Sequence, residues 1–226
     1  MKPTEIIKDI YIIGDSGMTD PKDCSIYLID LGELVMIDTG AGHSVDKLWN
    51  NIEKLALNPD RLSTIILTHC HIDHVGGAGE LKRRSGARLI MHEKDAEIVE
   101  RGDKRMTAAY WYGIDFKPLQ IDVKLNRPEE TIYIGNEKIV CLHTPGHTPG
   151  SISVYMDMND KRILFGQDIH GPFLPDFGAN MTDWKRSMNR LLALKADILC
   201  EGHFGIYRSN EVVTDYIERY LDEYGD

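Results

Sequence analysis

The sequence predicts a layered α/β (α+β) domain, and three observations carry that prediction. Its 226 residues are enough for one well-buried core, so we expect a single domain over residues 1–226. Short runs rich in β-branched residues alternate with segments of helical periodicity along the chain. No linker-like stretch, repeat or low-complexity tract separates the halves, and mixed elements without a linker favour layers of sheet and helix.

The first half begins with predicted strands. They are rich in β-branched residues, end in turns with Gly or Asp, and lie at residues 5–14, 24–32 and 33–40. A helix is predicted over 44–57, because apolar residues recur at helical spacing from Val45 to Leu55; Ser44 is its expected N-cap and Asn58 its end. The remaining elements are a strand buried on both faces at 63–69, a helix at 78–85, a strand at 88–92 and a helix at 93–101.

The second half repeats this alternation. The predicted strands lie at 131–134, 138–143, 151–156, 162–165 and 197–200, and the predicted helices at 182–195 and from residue 210 onward. The least regular segments are 102–119 and 171–180. Because long irregular segments in compact domains are often functional, both are predicted to be functional loops.

Charge and composition exclude several classes of protein. The formal net charge of −10 repels phosphate backbones, so nucleic acid is a disfavoured partner. The longest apolar runs, at 10–13 and 65–67, cannot cross a bilayer, and charges at positions 5, 8 and 9 interrupt the N-terminal stretch where a signal peptide would be apolar. We therefore expect a cytoplasmic protein without a membrane partner. Four dispersed cysteines form no C-x-x-C pair, which predicts free thiols.

The stretch THCHIDHVGG, at residues 68–77, concentrates metal-binding side chains. His69 and His71 follow a strand two positions apart, so their side chains project to the same side and can meet one ion. Asp73 and His74 come after the chain begins to turn, and can face a second ion beside the first. Cys70 lies between two ligand candidates and is predicted to point into the core. The pattern indicates a metal site.

Three later positions offer further ligands. His147, Asp168 and His203 each lie in a Gly-containing loop after an apolar strand. Such loops hold ligands on a rigid sheet. Each position alone is weak evidence, but the four groups together indicate one composite site.

Together these motifs resemble the metallo-β-lactamase superfamily. The resemblance covers nearly the whole chain and includes the earlier MIDTG around Asp38. It implies a four-layer αββα sandwich with the metals between loops at one edge. It also implies that one ion is held by His69, His71 and His147, that the other is held by Asp73, His74 and His203, and that Asp168 bridges them. Asp38 is implied to be a supporting residue rather than a ligand.

The implied donor set has a chemical consequence. Nitrogen and carboxylate ligands without thiolates suit two zinc ions, with iron or manganese as alternatives. Two such ions can share a hydroxide, lower its pKa and polarise a scissile carbonyl or phosphoryl oxygen. Asp73 is expected to be catalytic as well, taking or delivering a proton during turnover.

The reaction has a leading hypothesis. HTPGHTPGS, at residues 143–151, resembles the glyoxalase II-like branch, whose members hydrolyse thioesters, and the related lactonases and esterases. One predicted helix follows His203, whereas typical glyoxalase II enzymes have a longer helical region there that contacts glutathione. We therefore predict a dinuclear metal-dependent hydrolase that uses a metal-bound hydroxide on a small ester, lactone or thioester.

Three alternatives remain open at this stage. A mononuclear iron persulfide dioxygenase, whose family the same motifs also resemble, would use His69, His147 and Asp168. A phosphodiesterase or nuclease would use the same metals. From another class, a metal-binding regulator would hold the metals without turnover. Metal count and oxygen consumption separate the first alternative from the hydrolase.

The substrate pocket is predicted from large side chains near the metal motifs. The candidates are Tyr112, His170, Phe173 and Phe177. The aromatic cluster 110–112 is as compatible with loop packing as it is with a substrate-pocket wall or a subunit contact. The expected partners are a small-molecule substrate and a second copy of the chain in a homodimer.

Overall fold

The chain folds into two β-sheets packed face to face, with helices on the outer face of each. The computed structural model describes residues 2–224. The strands are β1 Thr4–Ile7, β2 Ile10–Gly14, β3 Ile26–Asp30, β4 Leu34–Ile37, β5 Leu62–Ile66, β6 Arg88–His92, β7 Val123–Leu125, β8 Glu129–Ile134, β9 Glu137–His143, β10 Ile152–Met158, β11 Lys161–Gln167, β12 Ile198–Glu201 and β13 Ile206–Arg208. The helices are α1 Val45–Lys54, α2 Ile72–Val75, α3 Ala78–Ser85, α4 Glu93–Arg101, α5 Ala109–Tyr112, α6 Met181–Ala193 and α7 Asn210–Tyr224.

The two sheets differ in their strand directions. The first has the order β1-β2-β3-β4-β5-β6-β7, antiparallel up to β4 and parallel from β4 to β7. The second has the order β13-β12-β11-β10-β9-β8 and contains one parallel pair, β11 with β12. Strands of the parallel region, such as β4 and β5, are almost continuously buried because both of their faces are covered.

Three apolar layers hold the sandwich together. The central layer joins the inner faces of the two sheets and includes Tyr27 and Phe165, whose ring centroids lie 5.4 Å apart. One outer layer packs α1, α3 and α4 on the first sheet, and the other packs α6 and α7 on the second. This arrangement is the predicted αββα sandwich, and its apolar interior is the main source of its stability.

The structure corrects several predicted boundaries. The segment 5–14 is two strands rather than one, because Asp9 adopts a φ of 67° and turns the chain. Helix α1 ends at Lys54 because Ala56 has a φ of 60°, and the Ser44 hydroxyl accepts no helix N–H although Ser44 stands at the N-cap. Strand β5 ends at Ile66, which leaves the first histidines in a loop.

Two other expectations concern the core and membranes. All four cysteines are free and buried, as predicted; they are Cys24, Cys70, Cys141 and Cys200. Across residues 2–224, no helix has the length and apolar character that a membrane crossing requires.

A stacked pair of histidines, of which His92 is buried and His143 half-buried, links the two sheets. His92 at the end of β6 and His143 at the end of β9 stack with ring centroids 3.8 Å apart and planes 9° from parallel. Burial, together with the neighbouring His143 and Lys94, lowers the pKa of His92 to about 4. Burial also lowers the pKa of His143. The pair is therefore neutral in the folded protein at neutral pH.

This pair predicts acid sensitivity. Below pH 6.5 the unfolded chain protonates His92 while the folded chain does not, so folding stability falls as pH drops towards 4. When the pH falls from 7 to 5, the unfolding free energy of the wild type should drop by up to about 2 kcal/mol more than that of His92→Phe. Urea denaturation at both pH values measures this difference. His43→Phe, the same substitution at an exposed position, is the matched control.

Candidate metal centre

Four buried side chains converge where the loops after β5, β9 and β11 meet. The Nδ1 atom of His71 lies 3.1 Å from His69 Nε2 and 2.9 Å from His147 Nε2. Asp168 Oδ2 lies 3.8 Å from His69 Nε2 and 3.5 Å from His147 Nε2. This set of three imidazoles and one carboxylate oxygen forms the first cluster.

A second cluster lies directly beside the first. Asp73 Oδ2 is 3.6 Å from His74 Nε2 and 3.4 Å from His203 Nε2. The other oxygen of Asp168, Oδ1, lies 3.3 Å from His74 Nε2 and 3.4 Å from His203 Nε2. One oxygen of Asp168 therefore faces each cluster. The structure brings all seven predicted ligand candidates together in this arrangement.

Local backbone structure explains how the motif reaches this geometry. His71 is extended, with φ −67° and ψ 146°, and directly precedes α2, which carries Asp73 and His74 on one short turn. Gly76 ends that turn where the chain touches Ala41, and a Cβ atom at Gly76 would lie 2.4 Å from the Ala41 backbone. Gly202 is similarly required, because its Cβ would lie 2.3 Å from Asp168 Oδ1.

A buried carboxylate, Asp38, orients the second cluster. It accepts hydrogen bonds from the Thr68 backbone N–H at 2.8 Å and the Thr68 hydroxyl at 2.7 Å. It also pairs with His74 Nδ1 at 2.7 Å and accepts from the Gln167 side-chain amide. Because a carboxylate can only accept, His74 carries its proton on Nδ1 and leaves Nε2 free for a ligand role. Asp38 thus has the supporting position that the sequence implied.

A second buried carboxylate, Asp95, ties two metal-binding loops together. Its Oδ2 accepts from the Cys70 N–H at 2.9 Å and the Thr148 hydroxyl at 2.6 Å, and its Oδ1 accepts from the Gly150 N–H at 2.7 Å. Sequence reasoning missed Asp95. One feature of the sequence could have revealed it: Asp95 stands three positions before Ile98, so it is an acidic residue on the apolar face of α4.

The electrostatics of the site fit bound cations. Burial lowers the pKa of His69 and His71 well below the ordinary range and that of His147 to about 4, so neutral nitrogen lone pairs converge in the first cluster. In the second cluster, His74 Nε2 and Asp168 Oδ1 are buried and have no hydrogen-bond partner among residues 2–224. Nitrogens bound tetrahedrally to one zinc ion lie about 3.3 Å apart, which is close to the spacings found here.

A cavity of about 400 Å³ opens over both clusters. Three of the four predicted pocket residues line it: Tyr112, His170 and Phe177. The ring of Phe177 stands edge-on to His71, with centroids 4.9 Å apart. The lining also includes residues not predicted from sequence, namely Ser16, Ala108, Pro172 and Phe204, and the Trp111 ring of the aromatic cluster.

The structure corrects the prediction for Phe173. Its ring packs against Trp184 at 4.9 Å and Tyr224 at 5.3 Å, in the apolar layer under α6 and α7, and it does not line the cavity. Phe204 occupies the wall instead and is 57% exposed. Its sequence signal was its position directly after His203.

The cysteines near the site are not suited to be ligands. Cys70 is buried in the core, as predicted, and burial raises its pKa. Cys24 lies near His74 and Asp38, but burial raises its pKa to about 12, so it stays a neutral thiol.

An αββα sandwich with buried histidine and aspartate clusters at one edge defines a class of metal-dependent hydrolases. The model of the metallo-beta-lactamase superfamily matches residues 19–203, and the chain belongs to this superfamily. It is a metallo-hydrolase of that fold.

Relatives and solved structures agree with this assignment. Hydroxyacylglutathione hydrolase GloC of Haemophilus influenzae is 30% identical over 197 residues, which are 82% of this chain and 86% of that protein. Acyl-coenzyme A thioesterase MBLAC2 of Bos taurus is 26% identical over 218 residues, which are 82% of this chain and 75% of that protein. The class B3 di-zinc metallo-beta-lactamase LRA-12, from an Alaskan soil metagenome, superposes with a TM-score of 0.82 at 25% identity and covers 100% of this chain and 92% of its own.

Proposed function

We propose that the protein is a dinuclear metal-dependent hydrolase of small esters, lactones or thioesters. The observation that carries this proposal is the position of Asp168, whose two carboxylate oxygens each face a separate cluster of ligand atoms. A mononuclear site would need only one of those clusters. The description of LRA-12 as a di-zinc enzyme supports two metal ions per chain, and the thioester substrates in the names of the two relatives support the reaction class.

The clusters divide the ligands between two ions. His69, His71 and His147 would hold one, and Asp73, His74 and His203 would hold the other, with Asp168 between them. We propose zinc, since three imidazoles with a carboxylate are a common zinc donor set, and iron or manganese are the alternatives. When bound, two such ions supply a water-derived nucleophile at neutral pH and polarise the scissile carbonyl oxygen.

Two side chains at the cavity floor would act on the substrate. The Asp73 carboxylate lines the cavity, which places it to take up and return a proton during turnover. Burial and the Asp73 carboxylate raise the pKa of Tyr112. The Tyr112 phenol therefore stays protonated and can donate a hydrogen bond to a substrate oxygen.

The cavity favours an uncharged substrate. No lysine or arginine side chain is among its lining residues within the described part of the chain. Two cations that contact a lining residue or its neighbour in the chain are already paired: Lys22 donates to the Tyr112 carbonyl at 2.7 Å, and Arg105 lies 3.1 Å from Asp176, which precedes Phe177. Anionic groups such as the glutathione carboxylates or the coenzyme A phosphates are usually bound by such cations. We therefore expect uncharged acyl compounds to be hydrolysed faster than glutathione or coenzyme A thioesters.

Elemental analysis and kinetics test the proposal together. Protein purified without added metal or chelator should contain close to two ions per chain. It should hydrolyse uncharged thioesters or lactones with a higher kcat/KM than the coenzyme A thioester of the same acyl group. One iron per chain, with oxygen consumption on a persulfide, would instead establish a persulfide dioxygenase. Turnover confined to a phosphodiester such as bis-p-nitrophenyl phosphate would establish a phosphodiesterase, and two tightly held ions without turnover would favour a regulator.

A further inference from the structure

Gln167 is a fully buried polar residue that reaches from the second sheet to the first. It is the last residue of β11 and is 1% exposed. Its side-chain amide donates to Oδ2 of Asp38, which follows β4 of the first sheet. The same carboxylate oxygen lies 2.7 Å from His74 Nδ1. Gln167 is therefore linked through Asp38 to a ligand candidate of the second cluster.

The backbone of Gln167 contacts the loops that carry two more residues of that cluster. Its carbonyl accepts from the Ile169 N–H at 2.7 Å and from the Gly202 N–H at 3.4 Å. Ile169 directly follows Asp168, and Gly202 directly precedes His203. Contacts that converge on Gln167 thus reach three of the four residues whose ligand atoms form the second cluster.

The register partner of Gln167 in β12 supports the His203 loop as well. This partner is Glu201, whose Oε2 accepts from the backbone N–H groups of His203 at 2.6 Å and Phe204 at 2.9 Å. Its Oε1 lies 2.6 Å from His170 Nδ1. The His203 loop therefore keeps its supports when only the side chain of Gln167 is changed, and such a change acts on Asp38.

Both ends of the hydrogen bond between Gln167 and Asp38 have a strained backbone. Gln167 adopts a φ of 51° and Asp38 a φ of 59°, in the left-handed region that costs stability for a residue with a Cβ atom. The Gln167 Oε1 atom adds a second cost, because it is buried and has no hydrogen-bond partner among residues 2–224. A glycine would avoid both costs. Within the described part of the chain, the one hydrogen bond of this side chain is the bond to Asp38, so the benefit of a glutamine lies there.

We propose that Gln167 is a positioning residue for the second metal ion. Its amide fixes the Asp38 carboxylate, and through it the His74 ring, in the orientation that brings His74 Nε2 to 3.3 Å from Asp168 Oδ1. Loss of a residue that orients a metal ligand typically weakens metal binding by about 10–100-fold. The inference rests on the proposed dinuclear function, and it assigns Gln167 to metal binding rather than to folding alone.

Zinc titration of chelator-treated protein tests the inference. The variant is Gln167→Met, which keeps the length of the side chain and lacks the amide. With a chromophoric chelator competing for zinc, the dissociation constant of one of the two ions should rise about 10-fold, the lower end of that range, because Gln167 acts through Asp38. The other ion should keep its wild-type constant. Turnover that is lost at limiting zinc should return when zinc is in excess.

A glycine variant separates positioning from folding. Gln167→Gly lacks the amide too, but it relieves the left-handed strain and leaves more space in the core, so its urea midpoint without metal should differ from that of Gln167→Met. Both variants should nevertheless weaken the same ion by about 10-fold. Affinity losses that follow the urea midpoints would show a merely structural role. Lys195→Gly is the matched control, since Lys195 is exposed, has a φ of 52°, and should leave both zinc constants unchanged.

Two combined variants test the path from Gln167 to the ion. His71→Ala removes a ligand of the first cluster alone, so the ion that it retains should bind about 10-fold more weakly when Gln167→Met is added. Asp38→Asn already alters the acceptor of the Gln167 amide. Adding Gln167→Met to it should cause no further loss of affinity, because two residues that act through one contact are not additive.

The outcomes distinguish this inference from the function on which it rests. Two ions bound with wild-type constants in both Gln167 variants would refute the positioning role and leave the dinuclear hydrolase standing. Additive losses in the combination with Asp38→Asn would refute the path through Asp38 with the same consequence. A wild-type chain that binds only one zinc ion would count against the dinuclear function and the positioning role together.

Discussion

Replacing Asp168 with Asn should lower the metal content of the chain and lower kcat/KM by more than about 10²-fold, since losing even a partner of a ligand costs roughly 10–100-fold. The reason is geometric. Asp168 Oδ2 lies 3.5 Å from His147 Nε2, and Oδ1 lies 3.3 Å from His74 Nε2. The Asn amide keeps one oxygen and replaces the other with an NH2 group, which cannot bind a cation. Elemental analysis and steady-state kinetics on the same preparation measure both effects.

Two further variants make this result specific. His71 lies in the first cluster alone, so His71→Ala should lower activity strongly and retain about one ion per chain. Asp46 has a side chain that is 83% exposed and pairs with Arg84 on the surface, so Asp46→Asn should keep both ions and wild-type turnover. Two bound ions with undiminished turnover in Asp168→Asn would contradict the bridging position.

The second large effect is expected from Asp38→Ala, as a loss of folding stability. This substitution leaves the Thr68 N–H and hydroxyl, His74 Nδ1 and the Gln167 amide without their acceptor in a fully buried site. Orphaned buried donors cost about 1–3 kcal/mol each, so the free energy of unfolding should fall by roughly 3 kcal/mol or more. The φ of 59° at position 38 adds strain, since alanine rarely adopts it. Urea denaturation of the chelator-treated protein separates this loss from any loss of metal.

The control is an aspartate that makes its contacts at the surface. Asp30 pairs with Arg61, and the two side chains are 17% and 35% exposed, so Asp30→Ala should cost about 1 kcal/mol, less than the change at the fully buried Asp38. Asp38→Asn is the conservative variant, because Asn tolerates the left-handed backbone and retains one acceptor, and its stability should lie between those of the wild type and the alanine variant. A loss in Asp38→Ala no larger than that in Asp30→Ala would show that the network has little effect on stability.

Sequence patterns predicted the long elements better than the short ones. Helix α6 and the strands β9 to β12 lie close to their predicted positions, because each carries enough apolar residues for a clear period. The three-residue strands β7 and β13 were missed, because three residues are too few to show a periodic pattern. These strands are held in place by pairing with β6 and β12. Positive φ angles at Asp9 and Ala56 also end a strand and a helix, and no glycine at these positions indicated the turns in the sequence.

The sequence was informative about the site where chemistry and spacing coincide. Four of the seven ligand candidates were found because histidine and aspartate at such short spacing after a strand are rare without a metal-binding role. The other three were weak evidence singly and were found because they lie in loops after apolar strands and complete the resemblance. Asp95 and Glu201 were missed because a single buried acid has no motif. Their importance comes from the hydrogen bonds they accept from distant loops. The sequence could not show that Phe204 rather than Phe173 lines the cavity, because the ring that faces the cavity depends on how the loops fold over the layers beneath.

The sequence by itself determined the layered α/β class and the candidate ligands, because these depend on periodicity and on residue types at fixed spacing. The αββα sandwich and the supporting position of Asp38 were implied by the resemblance to the metallo-β-lactamase superfamily. Only the tertiary structure decided which oxygen of Asp168 faces each cluster, that the pocket is aromatic with no lining cation among residues 2–224, and that Glu201 contacts His170. Each of these is a contact between residues far apart in the chain, such as the 2.6 Å pair of Glu201 with His170 across 31 positions. Packing of the two sheets sets such distances, and no local pattern in the sequence encodes them.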